Sequence, residues 1–247
     1  MKPTKKACEM TVNELAAYID QSVLKPEFTQ DDIRKYIQEG VDFGCATVCV
    51  NPASLDIAAE LTQGTDTKIC VVCDFPFGLS TTKSKVMQAE EYCKRGDIAD
   101  LDIVANYGWI RSGKFDEVGK ELKAVCEVCH NYGSIVKVIF ETDALTIDEV
   151  KKASEVAIQA GADFLKTSTG FFTGGKSEGA TSEVIAAMME VAAGRAKIKG
   201  SGGIRDQKHF FELIDMGIDR MGIGYRSTPV VLGMTVEEAR ARRAAKQ

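Results

Sequence analysis

The stretch Asp163-Phe164-Leu165-Lys166-Thr167-Ser168-Thr169-Gly170-Phe171 runs apolar, ends in a lysine, then breaks into small hydroxyl residues and a glycine. It reads as a buried strand whose last residue carries an amine. Burial disfavours an ammonium ion, so an amine in such a place is drawn toward its neutral, nucleophilic form. The pattern returns 33 residues later in Ala196-Lys197-Ile198-Lys199-Gly200-Ser201-Gly202-Gly203. That spacing is one strand-plus-helix unit. If the two strands are neighbours in a parallel sheet, their backbones lie ~5 Å apart. Two ammonium groups that close repel, and one gives up its proton near neutral pH. A Schiff-base enzyme needs that arrangement.

Outward from this stretch, period-2 and period-3.6 signals alternate along the whole chain. Strands are expected at 46–50, 68–73, 97–104, 135–140, 163–167, 196–199 and 220–224, each followed by a helix. Thr11-x-x-Glu14, Thr29-x-x-Asp32, Thr146-x-x-Glu149 and Thr235-x-x-Glu238 read as helix starts. Asn51-Pro52 reads as an N-cap followed by proline at the first helical position. The helix from Thr29 lacks a legible strand before it, so the short Tyr18-Ile19-Asp20-Gln21 is assigned as strand one of eight. Eight β/α units in 247 residues fit a single closed (β/α)8 TIM barrel spanning 1–247, with a short N-terminal helix. An open doubly wound sheet would want a GxGxxG turn after its first strand, and the chain has none there.

The net charge of −5 gives no general attraction to nucleic acid or to an anionic membrane. The basic start Met1 to Lys6 is followed by polar residues, so neither a signal peptide nor a bilayer span is expected, and the setting is taken as cytoplasmic. The eight cysteines are read as reduced thiols packed as small apolar groups. Cys126-Glu127-Val128-Cys129-His130 matches a haem-attachment string but falls in a helical stretch, and its haem reading is set aside. The basic end, Arg240 to Lys246, reads as a solvated helix terminus.

In such barrels the active site lies at the C-terminal strand ends. Asp20, Cys49, Asp74, Asp102, Lys137, Lys166 and Lys199 fall at or near those ends. Asp102, Lys137, Lys166 and Lys199 recur on consecutive strands at similar heights. Taken singly, each is explained by a satisfied ion pair. As an inward-facing set they are poor filler, because unpaired buried charge costs several kcal/mol. Asp102 is placed to keep one ammonium charged or to hold the group that shuttles protons. Asp74 reads as a turn residue, and Asp20 as able to orient a lysine. His130 and His209 fall on helices, and no cluster has convincing metal-ligand spacing, so neither histidine nor metal chemistry is expected. Gly200-Ser201-Gly202-Gly203 followed by Ile204-Arg205 reads as an anion cradle or, equally, a tight turn.

At these residues the chain resembles the deoxyribose-phosphate aldolase family of class I aldolases. The resemblance runs from about Tyr18 to Gly224. It is carried by Ile19-Asp20-x-x-x-Leu24-Lys25-Pro26, Ala46-Thr47-Val48-Cys49-Val50-Asn51-Pro52 and Phe75-Pro76-Phe77-Gly78. Further matches are Leu101-Asp102-Ile103-Val104-Ala105-Asn106, Val136-Lys137-Val138-Ile139-Phe140-Glu141-Thr142, the Lys166 stretch itself, and Lys199-x-Ser201-Gly202-Gly203-Ile204-Arg205. The resemblance implies that Lys166 forms the Schiff base, that Lys199 helps it shed its proton, and that Asp102 works in the proton relay. It implies reversible cleavage of 2-deoxy-D-ribose 5-phosphate to acetaldehyde and glyceraldehyde 3-phosphate, with no metal or other cofactor. Cys49 would line the substrate pocket, with Lys137 and Asp20 in support. Ser168, Gly170, Gly202, Gly203, Gly224 and Arg226 are the further candidates for holding the substrate.

Three departures from the family pattern bear on the substrate. Gln21-Ser22 stand where the family usually has histidine and threonine. The loop after Lys166, Phe172 to Thr181, is longer than the usual form and adds Lys176. Tyr225 and Arg226 follow strand eight where the family offers small hydroxyl residues. A same-family aldolase with a longer, unphosphorylated or carboxylated substrate is therefore the alternative. A barrel that binds a sugar phosphate without turning it over is the rival from another class. Barrels of this kind commonly self-associate, so a homo-oligomer is an open expectation, although no stretch marks an interface.

Overall fold

In the computed structural model, which describes residues 3–245, eight parallel strands close into a barrel in chain order. They are β1 (Ile19–Val23), β2 (Thr47–Val50), β3 (Lys68–Cys73), β4 (Ile98–Val104), β5 (Ile135–Ile139), β6 (Phe164–Lys166), β7 (Lys197–Ser201) and β8 (Arg220–Gly224). The helices are α1 (Val12–Ala16), α2 (Gln30–Phe43), α3 (Leu55–Thr62), α4 (Thr82–Cys93), α5 (Tyr107–Arg111) and α6 (Phe115–Asn131). They continue with α7 (Ile147–Gln159), α8 (Ser182–Ala192), α9 (Gln207–Met216), α10 (Thr228–Leu232) and α11 (Val236–Ala244). The expected (β/α)8 barrel is present. Met1, Lys2, Lys246 and Gln247 lie outside the described residues, and with them parts of the basic start and basic end. No described helix is long and apolar enough to cross a membrane.

Local chemistry sets the helix starts. At Thr11, Thr29, Thr146 and Thr235 the hydroxyl accepts from the amide three residues on, while the carboxylate there reaches back. Asn51 is different. It makes no side-chain cap, a 3-10 turn Pro52–Ser54 comes first, and Asn51 Nδ2 donates to the carbonyl of Leu24 at 3.2 Å. The Asn51 side chain is thus turned toward the Leu24 carbonyl instead of the helix start.

The described residues form two compact units. The unit of 71–203 carries β4 to β7, which pair in parallel with Asp102 opposite Lys137, Lys137 opposite Phe164, Ile139 opposite Lys166, and Lys166 opposite Lys199. The lysines are therefore not all at one height: Lys166 and Lys199 form a layer one residue pair above Asp102 and Lys137. That stagger is what strand tilt in a closed barrel produces. Leu101, Ile103, Val136, Val138, Leu165 and Ile198 alternate with the charged residues along these strands, so they face the other side of the sheet, where they are buried.

The second unit, 3–70 with 204–245, carries β1, β2 and β8. Within it the basic end is a docking helix instead of a solvated terminus. Arg240 and Arg243 pair with the buried carboxylate of Asp42 at 3.1 and 2.9 Å, and Arg242 donates to the carbonyl of Phe43 at 2.6 Å. Cations thus meet the C-terminus of α2, where the helix dipole favours them.

Candidate active site

Three amines and two carboxylates meet along β4 to β7, with Asp100, Lys137 and Lys199 in mid-strand and only Lys166 at a strand end, against the expectation that the lysines all lie at or near the ends. Asp100 and Asp102 are two residues apart on β4 and share a face. Lys166 Nζ and Lys199 Nζ both donate to the same oxygen, Asp102 Oδ2, each at 2.7 Å. Lys137 Nζ donates to Asp102 Oδ1 at 3.2 Å and to Asp100 Oδ2 at 2.5 Å. All five residues are buried. Burial opposes the charge on Asp102, but the three ammonium groups overcome it and hold this carboxyl well below the usual carboxylate range.

The charge count decides what the cluster can do. Three amines gather on these two carboxylates in a buried place, where charge is tolerated only when it is paired and hydrogen-bonded. Lys137 is held by both carboxylates. Lys166 and Lys199 compete for one oxygen, so their nitrogens are no further apart than twice 2.7 Å. At an effective dielectric of ~20 that proximity is worth about 3 kcal/mol of repulsion between two ammonium ions. The Lys166 side chain keeps 4% of its surface exposed, against 0% for Lys137 and Lys199. Lys166 is therefore the one of the three amine side chains that keeps contact with solvent.

The chain after Lys166 is stapled from both neighbours. Thr167 Oγ1 donates to the carbonyl of Ser201 at 2.8 Å and accepts from its amide at 2.9 Å. Ser201 Oγ donates to the carbonyl of Ser168, and Ser168 Oγ lies 3.0 Å from Thr142 Oγ1. On the other side Glu141 accepts from both the amide and the hydroxyl of Thr169. Burial raises the Glu141 carboxyl above its ordinary range, and the Thr169 bonds work against that rise. Gly170 follows with φ +80°. The loop that follows Lys166 is thus fixed at its root by small hydroxylated side chains.

Gly202 and Gly203 make a left-handed turn after β7, with φ of +81° and +76°. Asp74 is a turn residue, φ +49°, whose carboxylate accepts from the amide and hydroxyl of Ser80. In the other unit, Asp20 Oδ1 accepts from Arg220 at 2.7 Å and Cys49 is fully buried in β2. Gln21 is buried and donates to the carbonyl of Tyr36 at 2.6 Å. Tyr225 is spent on packing: its ring lies 3.8 Å from that of Tyr36 and 5.3 Å from that of Phe28. Arg226 is exposed, with its guanidinium 5.3 Å above the Tyr225 ring, and Gly224 is exposed at the end of β8.

The sequence reading missed Asp100, whose alternation with Asp102 was a usable signal. It also missed Lys85, which is wholly buried and donates to the carbonyls of Gly78 and Val104 at 2.9 Å and to Glu121 at 2.7 Å. Glu121 sits among Val118, Leu122 and Val125 on the buried side of α6, a charged residue on an apolar stripe. This clamp ties the loop after β3 to the end of β4. Phe75 of that loop meets Phe171 edge-on at 5.4 Å.

Comparison with known proteins defines the class first. A solved structure described as "QR15, an Aldolase" superposes with a TM-score of 0.80, at 36% identity, covering 95% of this chain and 99% of its own. Deoxyribose-phosphate aldolases from Caldanaerobacter subterraneus subsp. tengcongensis and Staphylococcus carnosus are 40% and 41% identical. The alignments cover 87% and 85% of this chain, and 91% and 92% of those relatives. A deoxyribose phosphate aldolase structure from Aeropyrum pernix, described as a unique tetramer, has a TM-score of 0.80 at 27% identity, covering 90% of this chain and 91% of its own. The chain is a barrel aldolase, a carbon–carbon lyase. It belongs to the DeoC/LacD aldolase family, whose profile matches residues 15–228.

Proposed function

We propose that this protein reversibly cleaves 2-deoxy-D-ribose 5-phosphate to acetaldehyde and D-glyceraldehyde 3-phosphate through a Schiff base on Lys166. The observation that carries the reading is the convergence of Lys166 and Lys199 on one oxygen of Asp102. The neutral amine of Lys166 attacks the aldehyde carbon C1, and the resulting carbinolamine loses water to give an iminium ion. A base takes the proton of the C3 hydroxyl, the C2–C3 bond breaks, and its electron pair moves into the iminium to form an enamine. Glyceraldehyde 3-phosphate leaves. Protonation of the enamine at C2 and hydrolysis of the new iminium release acetaldehyde and return the amine. Asp102 and Lys199 are the acid–base pair for these proton transfers, and Lys137 keeps Asp102 ionised and in place.

The chemistry as written draws on no metal or organic cofactor, because the iminium is the electron sink. The names of the relatives at 40% identity support the substrate. We assign the phosphate to the backbone of the Gly202–Gly203 turn, with Ser168 and Gly170 beside it in the same unit. Gly224 and Arg226 are further candidates. Asp20 and Cys49 are proposed as supporting residues of the other unit. Eight free thiols support a reducing, cytoplasmic setting. Self-association is proposed without an assigned surface.

The test is borohydride reduction in the presence of acetaldehyde or the sugar phosphate, followed by peptide mass spectrometry. A reduced adduct on Lys166, absent in Lys166→Arg, is the expected result. Tight binding of the sugar phosphate with no adduct would instead describe a non-catalytic barrel. Good turnover of a six-carbon or unphosphorylated aldol with negligible turnover of deoxyribose 5-phosphate would overturn the substrate assignment alone.

A further inference from the structure

The long loop between β6 and α8 doubles back, and a carboxylate stands behind its returning arm. Asp143, in the 3-10 turn Thr142–Ala144 after β5, accepts from Ser177 Oγ at 3.0 Å. It also accepts from the amides of Glu178 and Gly179 at 2.8 and 2.9 Å, both on Oδ1. Three donors on one carboxylate are charge-assisted bonds, about twice as strong as neutral ones.

The arm held this way lies against the Gly202–Gly203 turn. The amide of Ala180 donates to the carbonyl of Gly202 at 3.0 Å. A Cβ on Gly179 would run into the backbone of Gly202, and one on Gly203 into the carbonyl of Glu178. The two backbones touch because neither position has a side chain. The root of the same loop is held by Glu141, two residues before Asp143. One short segment thus fastens both ends of the loop.

We propose that Asp143 is a positioning residue for the phosphate end of the substrate. By fastening Ser177–Gly179 across the Gly202–Gly203 turn it sets how tightly that end is held, and it touches no reacting atom. The inference rests on the assignment of the phosphate to that turn.

The test compares wild type, Asp143→Ala and Asp143→Asn on 2-deoxyribose 5-phosphate and on unphosphorylated 2-deoxyribose, with tryptic cleavage at the exposed Lys176 as a second readout. For Asp143→Ala, KM for the phosphorylated sugar is expected to rise about tenfold with kcat within about twofold, and kcat/KM on deoxyribose to stay unchanged. Cleavage at Lys176 should quicken about fivefold, because the strap opens locally. Asp143→Asn keeps an oxygen for both amides and should remain within about threefold of wild type in KM. Equal losses on both sugars would mark general damage and overturn the proposal, as would an unchanged KM. Should wild type turn over neither sugar, the substrate reading falls, while protection by inorganic phosphate still decides the proposal. Protection of Lys176 by inorganic phosphate in wild type, lost in Asp143→Ala, would support it, and no protection in wild type would overturn it.

Discussion

Asp102 is the residue on which the electrostatics turn, since it answers three amines with two oxygens. Its carboxyl is held well below the usual range in the fold, so its contribution to stability is fully present above the unfolded carboxylate pKa, ~4. That contribution is lost as pH falls below ~4 through the folded value. Asp102→Asn should therefore cost about 3–5 kcal/mol at pH 7, the usual penalty for stranding buried charge, with the gap to wild type closing below pH ~4. Urea melts at a series of pH values measure this. A gap that stayed constant down to pH 2 would contradict it. Catalytic loss in the same variant should be severe, because the proposed proton relay loses its carboxylate.

Among the elements, the Lys85–Glu121 clamp shows how the loop after β3 is held beside the site. Lys85→Met should cost about 3–5 kcal/mol by leaving Glu121 buried without its cation. The double variant Lys85→Met/Glu121→Leu should recover much of that loss, as a coupled pair requires. Equilibrium unfolding of the single and double variants measures the coupling, and strictly additive losses would refute it. Neither residue stood out in the sequence: Lys85 lies beside Lys83 in a helix start, and only tertiary packing separates the buried lysine from the solvated one. The strands were far more legible. β3 and β8 fall where the alternation put them, and the others shift by one or two residues, because pairing extends or trims an end that the pattern alone leaves open. The short helices α5 and α10 carry too few residues for a periodic signal. Asp143 was invisible for a different reason. Its role depends on a loop folding back from 34 to 36 residues away.

At the scale of the whole molecule, the barrel stacks successive strands so that a lysine on β6 and a lysine on β7 share a carboxylate from β4. The sequence spacing put those lysines on neighbouring strands, as the pairing has them, while the difference in height between Lys137 and Lys166 needed the strand register. The crowding of two lysines on one carboxylate oxygen is the feature on which the proposed reaction rests. The direct measurement is the rate of borohydride-trapped adduct formation with acetaldehyde on Lys166 at pH 7, in wild type and in Lys199→Met. A loss of at least about tenfold is expected in the variant. Adduct formation at the wild-type rate in Lys199→Met would contradict it.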